Sequence, residues 1–169
     1  MMSNTLLESV VKKNRARLIP FMLALYVLAF LDRSNIGFAK ETYQLDTGLS
    51  NEAYALGAGI FFVVYAFLGV PANLLMRKFG ARKWIGCTTL LWGVLSAAMA
   101  WADTEAKFLL VRTLLGAAEA GFFPGMIYLT SQWFPQQNRA SIMGLFYMGA
   151  PLALTLGSPL SGALLEMHG

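Results

Sequence analysis

The sequence predicts an all-α membrane protein whose chain crosses a bilayer five times, and three observations predict it. Hydrophobic residues make up 57% of the 169 positions and charged residues only 13%, about half the ~25% share typical of soluble domains. The remaining charges are bunched between apolar runs. Each run reaches the ~20 residues that a helix rising ~1.5 Å per residue needs to cross ~30 Å of hydrocarbon, and none shows the strict alternation of a barrel's ~9–11-residue strands.

The first span, about 18–38, follows a tail of residues 1–17 that carries Lys12, Lys13, Arg15 and Arg17. A basic tail before an apolar run suits a signal peptide, but the run is too long and lacks a small-residue cleavage pattern, so it reads as a retained span. The second, about 53–76, contains Pro71. The third, about 84–102, contains Cys87, the only cysteine, so no disulfide or thiolate cluster can form within the chain. The fourth, about 108–131, contains Pro124, and the fifth, about 140–165, contains Pro151 and Pro159. These prolines are expected to kink their helices without breaking them, because neighbouring helices can satisfy the freed carbonyls.

Basic residues resist crossing the membrane, so the loops orient the chain. The tail, the second-to-third connection (Arg77, Lys78, Arg82, Lys83) and the fourth-to-fifth connection (Arg139) hold nine basic residues and one acid, Glu8. The alternate segments hold Glu41, Asp46, Glu52, Asp103, Glu105 and Glu166 against Lys40 and Lys107. The tail is therefore expected in the cytoplasm and the C-terminus outside. The net charge of +4 is a topology signal and not a nucleic-acid signal. Five spans without a closing loop suggest an architecture that continues beyond Gly169.

Asp32 and Arg33 in the first span and Arg112 and Glu119 in the fourth are the charges that do not suit lipid. Each costs at least ~2.5–3.5 kcal/mol at a helix centre, so such groups face an interior or a watery cavity and are paired there. Counting the rise from the outer surface puts Asp32 and Arg33 ~8–9 Å deep and Arg112 ~6–8 Å deep. Asp32 and Arg112 are then level enough to pair. Glu119 follows Arg112 by seven residues, on the same face and ~10 Å deeper, and Tyr26 bears the same relation to Arg33. The expected result is a polar column between the first and fourth helices. Its arginine forks suit carboxylates, and its acids would bind protons according to how the arginines are occupied. The alternative is buried ion pairs that only set helix register. Small residues at Gly116/Ala120, Gly121/Gly125, Ala153/Gly157 and Ser158/Gly162 have the four-residue spacing of close helix contacts.

The run from Leu31-Asp32-Arg33-Ser34-Asn35-Ile36-Gly37, preceded by Tyr26, continues through Val70-Pro71-Ala72-Asn73-Leu74 and Phe79-Gly80-Ala81-Arg82-Lys83-Trp84-Ile85. It ends in Arg112-Thr113-Leu114-Leu115-Gly116-Ala117-Ala118-Glu119-Ala120-Gly121-Phe122-Phe123-Pro124-Gly125 and Trp133-Phe134-Pro135. With these residues the chain resembles the major facilitator superfamily, and within it the anion:cation symporters that include tartrate, sugar-acid and phthalate-type permeases. The resemblance implies twelve helices in two six-helix halves, alternating access, and uptake of a small organic anion with protons across the cell inner membrane. This chain would be helices 1–5, an incomplete N-terminal half needing the missing C-terminal half for full transport. The resemblance makes Arg33 a substrate-binding arginine, Asp32 and Glu119 proton-carrying acids and Arg112 their switching partner. Tyr26, Tyr65 and Tyr147 become pocket candidates. Gly80, Arg82 and Lys83 resemble the superfamily's basic gating loop, although Arg77 stands where many members have an acid.

No metal or other cofactor is implied. A membrane-embedded enzyme would need a nucleophile–base pair or metal ligands at depth, and the lone histidine, His168, falls at the predicted outer end. A non-transporting scaffold or receptor is the other alternative.

Overall fold

The computed structural model describes residues 4–166, which form eight α-helices: α1 (Asn4–Phe38), α2 (Lys40–Thr47), α3 (Asn51–Phe79), α4 (Ala81–Ala98), α5 (Glu105–Glu119), α6 (Phe122–Trp133), α7 (Gln136–Tyr147) and α8 (Gly149–Glu166). A 3₁₀ turn, Met99–Trp101, closes α4. Five helical stretches are long and apolar enough to span a bilayer: Glu8–Phe38, Asn51–Phe79, Ala81–Trp101, Glu105–Trp133 and Gln136–Ala163. His168 lies outside the described residues.

Local chemistry sets several ends. The Ser50 hydroxyl accepts from the Ala53 N–H at 3.0 Å, and that of Thr104 from the Lys107 N–H at 3.4 Å, each capping a helix start. Glu52 and Glu105 follow in the first turns of α3 and α5, where a negative charge suits the helix dipole. Gly80, with φ +86°, alone separates α3 from α4, a conformation that L side chains rarely adopt. Arg82 and Lys83 then sit in the first turn of α4 with no acid beside them. That placement opposes the helix dipole, so helix stability does not account for these cations.

α3 and α8 run unbroken through Pro71 and Pro159. At the other two prolines a local interruption lies within a helical stretch that continues. The fourth stretch is interrupted at Ala120–Gly121 and the fifth at Met148. Pro124 removes the N–H that would bond the Ala120 carbonyl, and Pro151 the one for Tyr147, while each ring crowds that same carbonyl. The ladder resumes at once, with Gly125 N–H on the Gly121 carbonyl at 3.0 Å and Leu152 N–H on that of Met148 at 3.2 Å.

The chain divides into two compact units, Lys40–Met126 and Met1–Ala39 with Ile127–Gly169; the boundary falls inside α6. In the first of these, α3 packs along α5 and α4 packs on both. A Cβ at Gly116 would lie 2.5 Å from the Phe61 carbonyl oxygen, so only glycine permits this approach. The short α2 is tied down by the Tyr43 hydroxyl, which donates to the carbonyls of Ala102 at 2.5 Å and Met99 at 3.4 Å. Burial, then the nearby charge of Asp103, pushes that phenol above its ordinary pKa.

In the other unit, α1 packs along α8 and against α7. Ala153 is buried and Gly157 meets the Leu31 side chain, while the Ser161 hydroxyl donates to Asn35 Oδ1 at 2.9 Å. Ser158 and Gly162, by contrast, are exposed, so that small-residue pair makes no close helix contact. Arg139 does more than mark a loop. Its guanidinium donates to the carbonyls of Phe134 at 2.9 Å and Ser131 at 2.7 Å, satisfying acceptors left over at the end of α6.

Candidate functional site

The four intramembrane charges fall two to each unit. Asp32 and Arg33 stand near the end of α1, and Arg112 and Glu119 stand on α5.

On α5 the surroundings follow from the sequence period. Phe108, Arg112 and Gly116 are four residues apart and share one face; on α3, Tyr54, Gly57 and Phe61 do the same at spacings of three and four. The two faces interdigitate. The Phe108 ring lies where a Gly57 side chain would be and stacks on Tyr54 at 5.2 Å. Beneath it Arg112, 2% exposed, donates from Nε to the Gly57 carbonyl at 3.2 Å. Its guanidinium carbon sits 4.5 Å from the centroid of Phe61, within cation–π range. Phe61 is fully buried. Glu119, 1% exposed, ends α5 where the helix is interrupted, two turns below Arg112.

On α1 the charges are less enclosed. Asp32 and Arg33 are half-buried, and the Arg33 guanidinium carbon is 6.0 Å from the Phe30 centroid, at the edge of cation–π range. One turn earlier, the Tyr26 ring is buried, stacked on Phe146 at 4.3 Å and edge-on to Phe30 at 5.0 Å. Gly149 leaves room for it; a Cβ there would lie 2.7 Å from the Tyr26 ring.

The other expected positions differ in character. Tyr65 is half-buried and stacks on Phe61 at 6.0 Å, which puts it beside the ring that holds Arg112. Tyr147 is 48% exposed at the end of α7, 6.1 Å from Phe146. Gly80 makes the sharp turn described above, and Arg82 and Lys83 are exposed beyond it. Among the described residues no three of His, Cys, Asp and Glu come together as metal ligands. Gly57 and Phe61 went unread at the sequence level. Their only signal was the 54-57-61 spacing of a tyrosine, a glycine and a phenylalanine on one helix face.

A cavity of about 250 Å³ lies at the start of α1, lined by Glu8, Lys12 and Arg15 with Pro135, Gln137 and Asn138. It contains none of the four intramembrane charges.

The sequence model of the Major Facilitator Superfamily matches residues 22–169. Over 168 residues the chain is 92% identical to the inner membrane transport protein RhmT of Escherichia coli (strain K12), covering 99% of this chain and 39% of that one. A protein of Agrobacterium vitis, named as a candidate tartrate transporter, is 50% identical over 167 residues, covering 99% of this chain and 37% of it. Among solved structures, a bacterial homolog of the human lysosomal transporter Spinster, inward-facing and occupied, superposes with a TM-score of 0.82 at 22% identity. That match covers 89% of this chain and 32% of the other. The chain thus spans about two fifths of the length of the curated relatives it matches.

Proposed function

The chain belongs to the major facilitator superfamily, and on that premise we propose that it is the N-terminal part of an inner-membrane importer of a small organic anion, driven by protons. Family membership and transporter-named relatives set the chain among transporters and not membrane-embedded enzymes. The substrate reading draws on the relative named for tartrate, a dicarboxylate, and on the arginine forks. The single observation that carries the coupling reading is the deep burial of Arg112 and Glu119 in an apolar span. Ionisable groups are retained at such depth chiefly for function.

Arg33 is the group for the substrate carboxylate, because its planar paired donors match that shape and its half-buried position leaves it reachable. Tyr26 and Tyr147, in the same unit as Arg33, are its aromatic pocket candidates, and Tyr65 is a candidate by family resemblance alone. Asp32 and Glu119 carry the protons. Burial raises the proton affinity of a carboxylate and a neighbouring arginine lowers it, so changing the arginine's environment loads or unloads the acid. A protein couples two events only by interacting differently with its two states. The tail faces the cytoplasm, and Gly80, Arg82 and Lys83 form a cytoplasmic turn at which the membrane-spanning helices move. Transport requires a second half, since sites in such carriers lie between repeats that rock against each other.

The test joins this chain to the remaining C-terminal part of its 92%-identical Escherichia coli relative and measures accumulation of labelled carboxylates, including sugar acids and tartrate, with and without a proton gradient. Gradient-dependent accumulation of at least one is expected, and this chain alone is expected to insert without transporting. Uptake indifferent to the gradient refutes the coupling. Reporter fusions at Gly80 and Gln137 should read as cytoplasmic; an external signal at Gly80 reverses the topology.

A further inference from the structure

We infer that Gly57 and Phe61 are positioning residues that hold Arg112 of α5 as a stationary charge against α3, so that proton and substrate events come to the arginine instead of the arginine swinging between partners. The inference rests on the coupling role proposed above for Arg112 and Glu119.

Three constraints act on the side chain. The Nε–H is held by the Gly57 carbonyl at 3.2 Å; a helical carbonyl has a second lone pair, so the α3 ladder need not open to provide it. The face of the guanidinium is held by the Phe61 ring at 4.5 Å, and because that ring is fully buried the attraction acts where water does not weaken it. The space along the stem is closed on α5 itself, by Phe108 one turn before and Gly116 one turn after. Phe108 fits only because Gly57 has no side chain, and Gly116 brings α5 onto the Phe61 backbone. A planar group fixed at Nε and across one face retains a single orientation for its terminal nitrogens. Swinging would require giving up both contacts and opening the α3–α5 seam. The Phe61 ring is in turn backed by Tyr65 at 6.0 Å. This geometry makes Phe61, an apolar residue that touches no proton or substrate, a determinant of the coupling.

The experiment uses the completed transporter with Phe61→Leu, Phe61→Tyr and Glu119→Gln, each normalised to folded protein. Two readouts are taken: the pH profile of accumulation against gradient-independent exchange, and the rate at which phenylglyoxal modifies Arg112, followed by mass spectrometry. Phe61→Leu should shift the pH midpoint and lower proton-driven accumulation at least fivefold while exchange stays within twofold, and Arg112 should be modified at least fivefold faster. Phe61→Tyr, which keeps the ring face, should restore both. A purely structural Phe61 lowers the amount of folded protein without moving the pH profile per molecule, and that result overturns the inference, as does an unchanged modification rate. Should Phe61→Leu fail to fold, Phe61→Met keeps a flexible apolar filler without the ring and carries the same expectations. Glu119→Gln separates the two levels: if that variant still accumulates substrate with a wild-type pH profile, the coupling reading itself falls. If it loses coupling while Phe61→Leu behaves as wild type, only the positioning role falls.

Discussion

The two units each hold an acid and an arginine, and they hold them differently. On α5, Arg112 and Glu119 are 2% and 1% exposed, and Arg112 is gripped by a carbonyl and a ring. On α1, Asp32 and Arg33 are half-buried, and the Arg33 guanidinium carbon lies 6.0 Å from the Phe30 centroid. A charge withdrawn from water is tolerated only with fixed compensation, and Arg112 has it in the Gly57 carbonyl and the Phe61 ring. The difference teaches that the same two residue types, set in apolar helices, can be enclosed to very different degrees.

The largest expected effect sharpens the buried side. Glu119→Gln in the completed transporter should abolish proton-driven accumulation while sparing substrate binding and exchange, since the amide mimics a permanently neutral acid. Uptake, binding and membrane yield measured on one preparation check this. A variant that instead loses its folded protein in the membrane returns Glu119 to a purely structural role.

On the exposed side, Arg33→Lys should weaken substrate binding about tenfold, because an ammonium cannot reproduce the paired planar donors and a tenfold loss corresponds to roughly 1.4 kcal/mol. Membrane insertion should be normal. Scintillation proximity or competition binding decides it, and wild-type affinity would erase the contrast between the two arginines.

The smallest effect concerns the frame around the buried pair. Tyr43→Phe removes the donor to the Ala102 and Met99 carbonyls and should cost about 1 kcal/mol, the usual net value of one hydrogen bond. The phenol's pKa is raised in the folded protein, so its contribution is complete below the ordinary value near 10 and is lost as pH rises through the raised one. Thermal unfolding in detergent should therefore separate wild type from variant by a constant margin between pH 6 and 9. The margin should shrink at still higher pH. Asp103, by contrast, is held below the ordinary carboxylate range chiefly by its hydrogen bond from Lys107. Exposed and ionised in both the folded and unfolded states across that interval, it leaves no trace there.

Much of this was legible before any coordinates. Apolar run length against bilayer thickness predicted five spanning helices because a chain in hydrocarbon has no partner for its backbone except itself. The same logic singled out Asp32, Arg33, Arg112 and Glu119, since a charge inside such a run is conspicuous. The helix interruptions were only half legible. Pro71 and Pro124 look alike in sequence, yet α3 continues regularly through one and the fourth stretch is locally interrupted one turn before the other.

What the sequence determined by itself was therefore everything set by solvent and by one-dimensional spacing: the spans, their loop charges and the candidate charges within them. What only the tertiary structure decided was what surrounds the buried arginine. That Arg112 rests on Gly57 and Phe61, 55 and 51 positions away along the chain, depends on the register of α3 against α5. That register is set by Gly116 meeting the Phe61 backbone and Phe108 filling the space beside Gly57. Helical period tells which residues share a face, and only packing density tells which face meets which.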